Sequence, residues 1–185
     1  MRTATSLLTL GAATFLSACA GLPAMPEMAK PFSQDGLPDA VKVPAGHAVA
    51  LESVGVGEIT YECRAKAAMP GSHEWVFLGP MAELKNRQGA KLGSYYGPPA
   101  TWAALDGSKL TGSQLAVAPA APGNIPLQLV KANPAVGAGL LSGISHIQRV
   151  ATQGGVAPAS PCDASSVGKQ LRVPYQADYI FWKAA

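Results

Sequence analysis

The chain has 185 residues, of which 48% are hydrophobic and only 14% charged, and its formal net charge is +3. This length suits one domain with one sizeable core, and the scattered charges form no basic cluster, which argues against a nucleic-acid partner. Low charge combined with abundant glycine, proline, alanine and valine is typical of a β-rich extracytoplasmic protein rather than a helical cytosolic one.

Residues 1–18 have the pattern of a signal peptide, because a short apolar stretch ends in small residues suited to cleavage and is too short to span a bilayer. The run Leu16-Ser17-Ala18-Cys19 resembles a bacterial lipobox, in which the cysteine thiol is lipidated and the cysteine becomes the first residue. We therefore predict lipidation of Cys19. The alternative is an ordinary secretory signal cut after Ala18 or Ala20, with Cys19 incidental.

The residue after Cys19 is Ala20 rather than aspartate, which by analogy with Gram-negative sorting predicts anchoring in the outer membrane, facing the periplasm. Residues 19–40 contain four prolines and are predicted to form an extended tether. At ~3.1 Å per residue, such a tether holds a domain up to about 60 Å from the lipid. The β domain is then predicted over residues 41–185.

Two further cysteines, Cys63 and Cys162, remain once Cys19 is assigned to the lipid. Two remaining thiols in an oxidising compartment most simply pair, which predicts a disulfide across a loop of about 100 residues. Two buried free thiols are the alternative.

The rest of the chain consists of short β-type runs separated by glycine and proline. We predict about nine strands, spaced as in an all-β sandwich or barrel, within the segments 47–54, 58–64, 75–78, 82–85, 90–96, 101–105, 109–117, 127–132, 141–152 and 175–183. Gly55-Val56-Gly57 is expected to be a turn or bulge between the first two. Asn86–Gly89 and Asp106-Gly107-Ser108 predict hairpin turns, although residues 80–89 also tolerate a helical turn.

Several runs resemble domain-of-unknown-function family 3455 of bacteria and fungi, and together they span residues 43–182. They are VPAGHAVAL, GEITYECR, EWVFLGPMAELKNRQGAKLGSYYGP, TWAALDGSKLTG, SGISHIQRVATQGG, PCDA and VPYQADYIFW. The chain departs from the family where it has Ser94 instead of a histidine and Ala151 instead of an asparagine. Pro99-Ala100 resembles an insertion into the family pattern, between Gly-Pro and Thr-Trp. The resemblance implies that any site built on that histidine is impaired here.

Some fungal members of that family are labelled malate dehydrogenase, but the chain lacks the glycine pattern that a dinucleotide requires. Gly55-Val56-Gly57 supplies two glycines without the third and without a following helix. We therefore expect neither NAD binding nor malate oxidation, and no cofactor.

Catalytic motifs are also weak. The three histidines, His47, His73 and His146, lie on separate predicted strands or loops, so we expect no metal site. A serine hydrolase remains possible by composition, but no serine lies in a Gly-x-Ser-x-Gly turn.

Arg149 lies on an alternating strand on the same face as Ile147, and Asp178 lies in the last strand-like run. We predict that the two form a buried structural ion pair that fixes strand register. The alternative is that Arg149 binds an anionic ligand.

Tyrosine and tryptophan side chains can fill a β core or stack on a planar ligand. If a small-molecule site exists, we expect it at Tyr95, Tyr96 and Trp102, where stacking would suit a glycan or another cell-envelope ligand. The prediction as a whole is a non-catalytic binding or envelope-structural lipoprotein. The alternative is an extracytoplasmic enzyme, either a hydrolase or a metal-dependent oxidoreductase. The sequence leaves the oligomeric state open.

Overall fold

A computed structural model describes residues 32–185. The predicted signal peptide, the lipidation site Cys19 and the tether up to residue 31 lie outside the described residues, so these assignments stay predictions. In the described part we find no helix long and apolar enough to cross a bilayer.

Residues 47–184 form eight antiparallel strands. Each strand pairs with the next along the chain, and the last pairs with the first, so the sheet closes into a barrel. The strands are β1 (His47–Ala65), β2 (His73–Lys85), β3 (Lys91–Tyr96), β4 (Thr101–Ala104), β5 (Lys109–Ala118), β6 (Leu127–Ala132), β7 (Ile144–Gly154) and β8 (Gln170–Ala184). The all-β prediction is confirmed, and of its two forms the barrel is the one observed.

The ten predicted segments form eight strands, because 47–54 and 58–64 are continuous in β1 and 75–78 and 82–85 are continuous in β2. β1 runs through Gly55 and Gly57, which are not a turn between two strands. A Cβ at Gly55 would lie 2.5 Å from the Tyr179 ring, and one at Gly57 would lie 2.0 Å from the Met81 carbonyl oxygen. These glycines therefore let neighbouring strands of the barrel approach each other closely. Close backbone approach is a known reason for a glycine within a strand.

Because the strands alternate in direction, the barrel has two distinct ends. The connections 66–72, 97–100, 119–126 and 155–169 share one end, which we call the upper end, and the connections 86–90, 105–108 and 133–143 share the lower end. Both predicted hairpin turns are confirmed at the lower end. The Asn86 side chain accepts hydrogen bonds from the backbone of the first turn, and Asp106 accepts from Ser108 in the second.

The barrel interior is packed mainly with aromatic and branched side chains. Trp102, Tyr179, Phe181 and Ile147 are almost fully buried there. Their size suits an eight-stranded barrel, whose interior is just wide enough to be filled by side chains or to hold one small ligand.

A second apolar cluster lies on the outer wall, where residues 32–43, here called the strap, cover the barrel. Val41 and Val43 of the strap pack against Ile180 and Trp182 of β8. Residues 32–40, which the sequence predicted as tether, therefore belong to the compact unit that begins at Phe32. The strap buries apolar side chains on the barrel, which the proline content had obscured.

The strap is also held by a polar network around Gln148, a fully buried residue of β7. The Gln148 amide donates to the carbonyl of Val41 at 2.6 Å and to Gln34 at 2.8 Å, and its oxygen accepts from the Trp182 indole at 2.8 Å. The hydrogen bonds satisfy the buried amide, as burial of a polar group requires.

The predicted disulfide between Cys63 and Cys162 is confirmed, with the two Cα atoms 5.5 Å apart. It ties the upper end of β1 to the connection 155–169. The same connection is held by the Trp75 indole, which donates to the Ser160 carbonyl at 2.8 Å, and by the Tyr61 hydroxyl, which donates to Gly155 at 2.7 Å.

Candidate ligand-binding cavity

The upper end of the barrel contains a cavity of about 400 Å³. This volume falls in the range of small-molecule sites. Side chains of β1, β2, β3, β5, β6 and β7 line it, together with the connections 97–100 and 119–126. The cavity thus forms only when the sheet closes, since its walls come from strands far apart in sequence.

The cavity walls are mostly apolar. Ile59, Phe77, Tyr95, Ile125 and Val130 face the space, with Pro80, Pro98 and Pro126 beside them. Gly112 also lines it, and a Cβ at this position would lie 2.5 Å from Val130 Cγ1. A glycine at position 112 therefore lets Val130 pack closely against β5 at the cavity wall.

The polar groups of the cavity are few. Gln114 and Gln128 lie at its wall, where the Gln128 amide donates to the Gln114 side-chain oxygen at 2.7 Å, and Arg149 is the cationic side chain among the lining residues. A largely apolar cavity with a small number of placed polar groups is the usual form of a small-molecule site.

Arg149 is partly buried and is positioned by the connection that precedes β6. Its Nε and Nη2 atoms donate to the Pro126 carbonyl at 3.3 and 2.9 Å. Within residues 32–185, no carboxylate lies within ion-pair distance of Arg149. The guanidinium is thus held in place by a neutral carbonyl rather than by a counterion.

Four tyrosines lie around this positive charge. Burial raises the pKa values of Tyr61, Tyr95, Tyr175 and Tyr179, and the nearby Arg149 charge opposes that rise at each of them. The hydroxyls of Tyr175 and Tyr179 are 3.2 Å apart and share a hydrogen bond. A phenol is already neutral near pH 7 at its ordinary pKa of about 10, and burial raises the pKa further, so these side chains do not neutralise the arginine.

The predicted aromatic platform is divided among three environments. Tyr95 lines the cavity, and Trp102 stacks against it with ring centroids 4.8 Å apart. Trp102 is 1% exposed, so its ring belongs to the core and not to a ligand surface, while Tyr96 is 39% exposed. The prediction of one platform from three rings is therefore wrong, and Tyr95 alone lines the cavity.

The predicted ion pair between Arg149 and Asp178 is also wrong. In the register of β7 and β8, Arg149 lies opposite Tyr179, and Asp178 lies opposite Val150. Tyr179 and Arg149 face the interior whereas Val150 packs in the outer cluster, so the two charges lie on opposite faces of the sheet. Asp178 pairs instead with Arg87 of the lower hairpin at 2.8 Å.

Two of the three histidines are neighbours, which the sequence could not show. The rings of His47 and His146 meet edge to face with centroids 4.7 Å apart near the lower end. Burial lowers the pKa of His146, and the charges of His47 and Lys131 add to that effect. Across residues 32–185, no group of three or more histidine, cysteine, aspartate or glutamate side chains is arranged to hold a metal ion.

The positions that depart from the family pattern lie in different places. Ser94 is on β3 opposite Glu83 and lines a second pocket of about 500 Å³, which shares no lining residue with the cavity, whereas Ala100 lines the cavity itself. Ala151 lies in β7 with a φ of 48°. The substitution at Ser94 therefore leaves the cavity lining unchanged.

Most residues of the cavity wall could not be predicted from the sequence. Phe77, Gln114, Ile125, Gln128 and Val130 come from different strands or connections, and no local motif unites them. The one available signal was the alternation that places Arg149 on the same strand face as the core residue Ile147.

The fold and the cavity together define a class: a disulfide-bonded, eight-stranded antiparallel β-barrel with a ligand-sized cavity at the upper end. A family model described as "protein of unknown function (DUF3455)" matches residues 44–183. The match covers most of the chain, so the chain belongs to this family, as the resemblance of its motifs implied. No curated protein and no solved structure matches it.

Proposed function

We propose that the protein is a lipid-anchored binding module of the cell envelope whose barrel cavity takes up a small molecule with an apolar body. The observation that carries the binding role is the cavity of about 400 Å³ with mostly apolar walls and a few polar groups. Its lining supplies groups that hold and orient a ligand, which favours binding over the hydrolase and oxidoreductase alternatives.

The cellular setting of the proposal rests on the sequence. The lipobox-like run ending at Cys19 supports lipid attachment, and Ala20 supports sorting to the outer membrane with the domain facing the periplasm. Several acyl chains anchor a protein stably, where a single chain gives only reversible binding.

A blocked cavity tests the binding role. We suggest the full chain in lipid nanodiscs, titrated by calorimetry with phenylbutyrate, phenylbutyramide and phenylbutylamine, which share one apolar body, with empty nanodiscs as background. Gln114 is an exposed residue at the cavity wall, so Gln114→Trp fills the cavity without disturbing the core.

We expect at least one probe to bind the wild-type protein and to lose affinity by about tenfold or more in Gln114→Trp, since the indole occupies the volume of the ligand. Gln88→Trp, on the exposed lower hairpin, is the matched control and should bind as wild type does. If no probe binds, or if Gln114→Trp binds as tightly as the control, the cavity is not a binding site.

A further inference from the structure

We propose that Arg149 binds the acidic group of the ligand, so that the cavity selects amphipathic anions: molecules with a carboxylate or a similar anion on an aromatic or aliphatic body. This inference rests on the proposed function, because it names the ligand class of the same cavity.

Arg149 differs from the other arginines of residues 32–185 in having no carboxylate partner there. Arg64 pairs with Glu62, Arg87 with Glu52 and Asp178, and Arg172 with Glu58. All of these pairs lie on the outer wall or at the barrel ends, where solvent screens them. Arg149, by contrast, faces the cavity and has no carboxylate partner among residues 32–185.

Arg149 is held in position, but some of its N–H donors have no hydrogen-bond partner within residues 32–185. A guanidinium carries five N–H donors in a planar fork that matches a carboxylate. Within residues 32–185 its hydrogen bonds come from Nε and Nη2, and both go to the Pro126 carbonyl. The two Nη1 donors therefore have no protein partner there. An arginine already oriented by a carbonyl loses little freedom on binding an anion.

The surroundings of Arg149 also strengthen its interaction with an anion. A charge in a partly buried, apolar site is screened less than one on the surface. The neighbouring phenols are protonated near pH 7 even at an ordinary pKa of about 10, and burial raises their pKa values further. They supply hydroxyl groups without supplying negative charge. The positive charge of the cavity is thus left for a ligand to balance.

The apolar walls around Arg149 favour a ligand that carries an apolar body besides its acidic group. Ile59, Phe77, Tyr95 and Val130 line the same space as Arg149 and offer aliphatic and aromatic surface. A small inorganic anion would leave this surface without a contact, whereas a molecule with an apolar body would cover it. The combination of walls and charge therefore selects for both properties in one ligand.

The three probes used for the cavity separate this inference from the proposed function, because they differ only in the charge of one group. In wild-type protein we expect phenylbutyrate to bind about tenfold more tightly than phenylbutyramide, as a charge-assisted hydrogen bond exceeds a neutral one, and phenylbutylamine to bind least. In Arg149→Met the preference for the carboxylate should fall to within about twofold. Arg149→Lys should keep part of it.

Arg172→Met is the matched control, because Arg172 is exposed on the outer wall. It should retain the full preference. If Arg149→Met does not fold, the order of the three probes on the wild-type protein still decides. Equal binding of the three probes, or a preference that persists in Arg149→Met, overturns the role of Arg149 while leaving the cavity as a binding site. If none of the three probes binds the wild-type protein, both proposals are overturned.

Discussion

Ala151 shows strain at a single residue next to the candidate site. Its φ of 48° lies in the left-handed region, where a Cβ approaches the following carbonyl group. The pairing of β7 with β8 shifts register between Val150 and Gln153, so a bulge holds Ala151 in this conformation. Bulges commonly redirect a neighbouring side chain, and this one begins after Val150, the residue that follows Arg149. An asparagine, expected here from the family pattern, tolerates the left-handed region better.

Relief of this strain is the first prediction. Ala151 is exposed, so Ala151→Gly should stabilise the folded protein by about 1 kcal/mol, because glycine adopts the left-handed conformation without a steric cost. Urea unfolding should show a higher midpoint. Ala48→Gly, at a position of β1 that pairs with Lys183 and has no positive φ, should instead lower the stability by about 0.5–1 kcal/mol. A lower midpoint for Ala151→Gly would contradict the strain argument.

At the same scale, the sequence predicted the face on which Arg149 lies but not its partner. Alternation along β7 placed Arg149 with Ile147, and both do face the interior. The pairing with Asp178 failed because it depends on the register between two strands, and a shift of one residue moves a side chain to the other face. Only the closed sheet shows that Tyr179, not Asp178, lies across from Arg149.

Among the elements, the connection 155–169 is attached to its neighbours by a disulfide and by two side-chain hydrogen bonds. The disulfide joins it to β1, and the side chains of Tyr61 and Trp75 bind its backbone. Tyr61 also lines the cavity. The same connection therefore supports one wall of the candidate site.

Removal of the disulfide tests this attachment. The bridge spans a sequence separation of 99 residues. Loops of this length gain roughly 4–5 kcal/mol from closure in the chain-entropy model. Reductant should lower the urea midpoint of the wild-type protein substantially. The double variant Cys63→Ala/Cys162→Ala should start from the lower midpoint and show no response to reductant. Identical unfolding curves with and without reductant would show that the bridge contributes no stability.

Elements differed in how well the sequence predicted them. The hairpins at 86–90 and 105–108 were predictable because an Asn or Asp side chain and a glycine with positive φ define such turns locally. Gly55 and Gly57 were not, since glycine marks both turns and close backbone approach. The strap gave no strand or helix pattern, and its apolar residues matter only because a barrel wall lies beneath them.

At the scale of the whole molecule, the described unit carries the proposed binding site, and the proposed location depends on Cys19. Cys19→Ala should release the protein from membranes or stop its processing, because the acyl chains that anchor it can no longer be attached. Membrane fractionation and intact-mass measurement check this. Ala20→Ser, which keeps the lipidated cysteine, should fractionate as wild type does. Unchanged mass and fractionation of Cys19→Ala would contradict the lipid anchor.

The closed sheet has a consequence for how copies of the protein coexist. The proposed lipid anchor would confine many copies to one surface, where strands with an open edge would pair with strands of neighbouring copies and aggregate. Each strand within residues 47–184 has a strand neighbour on both sides over at least part of its length, so none of these strands is open along a whole edge. Closure of the sheet therefore disfavours polymerisation through strand pairing, and we expect contacts between copies to form mainly through side chains and loops.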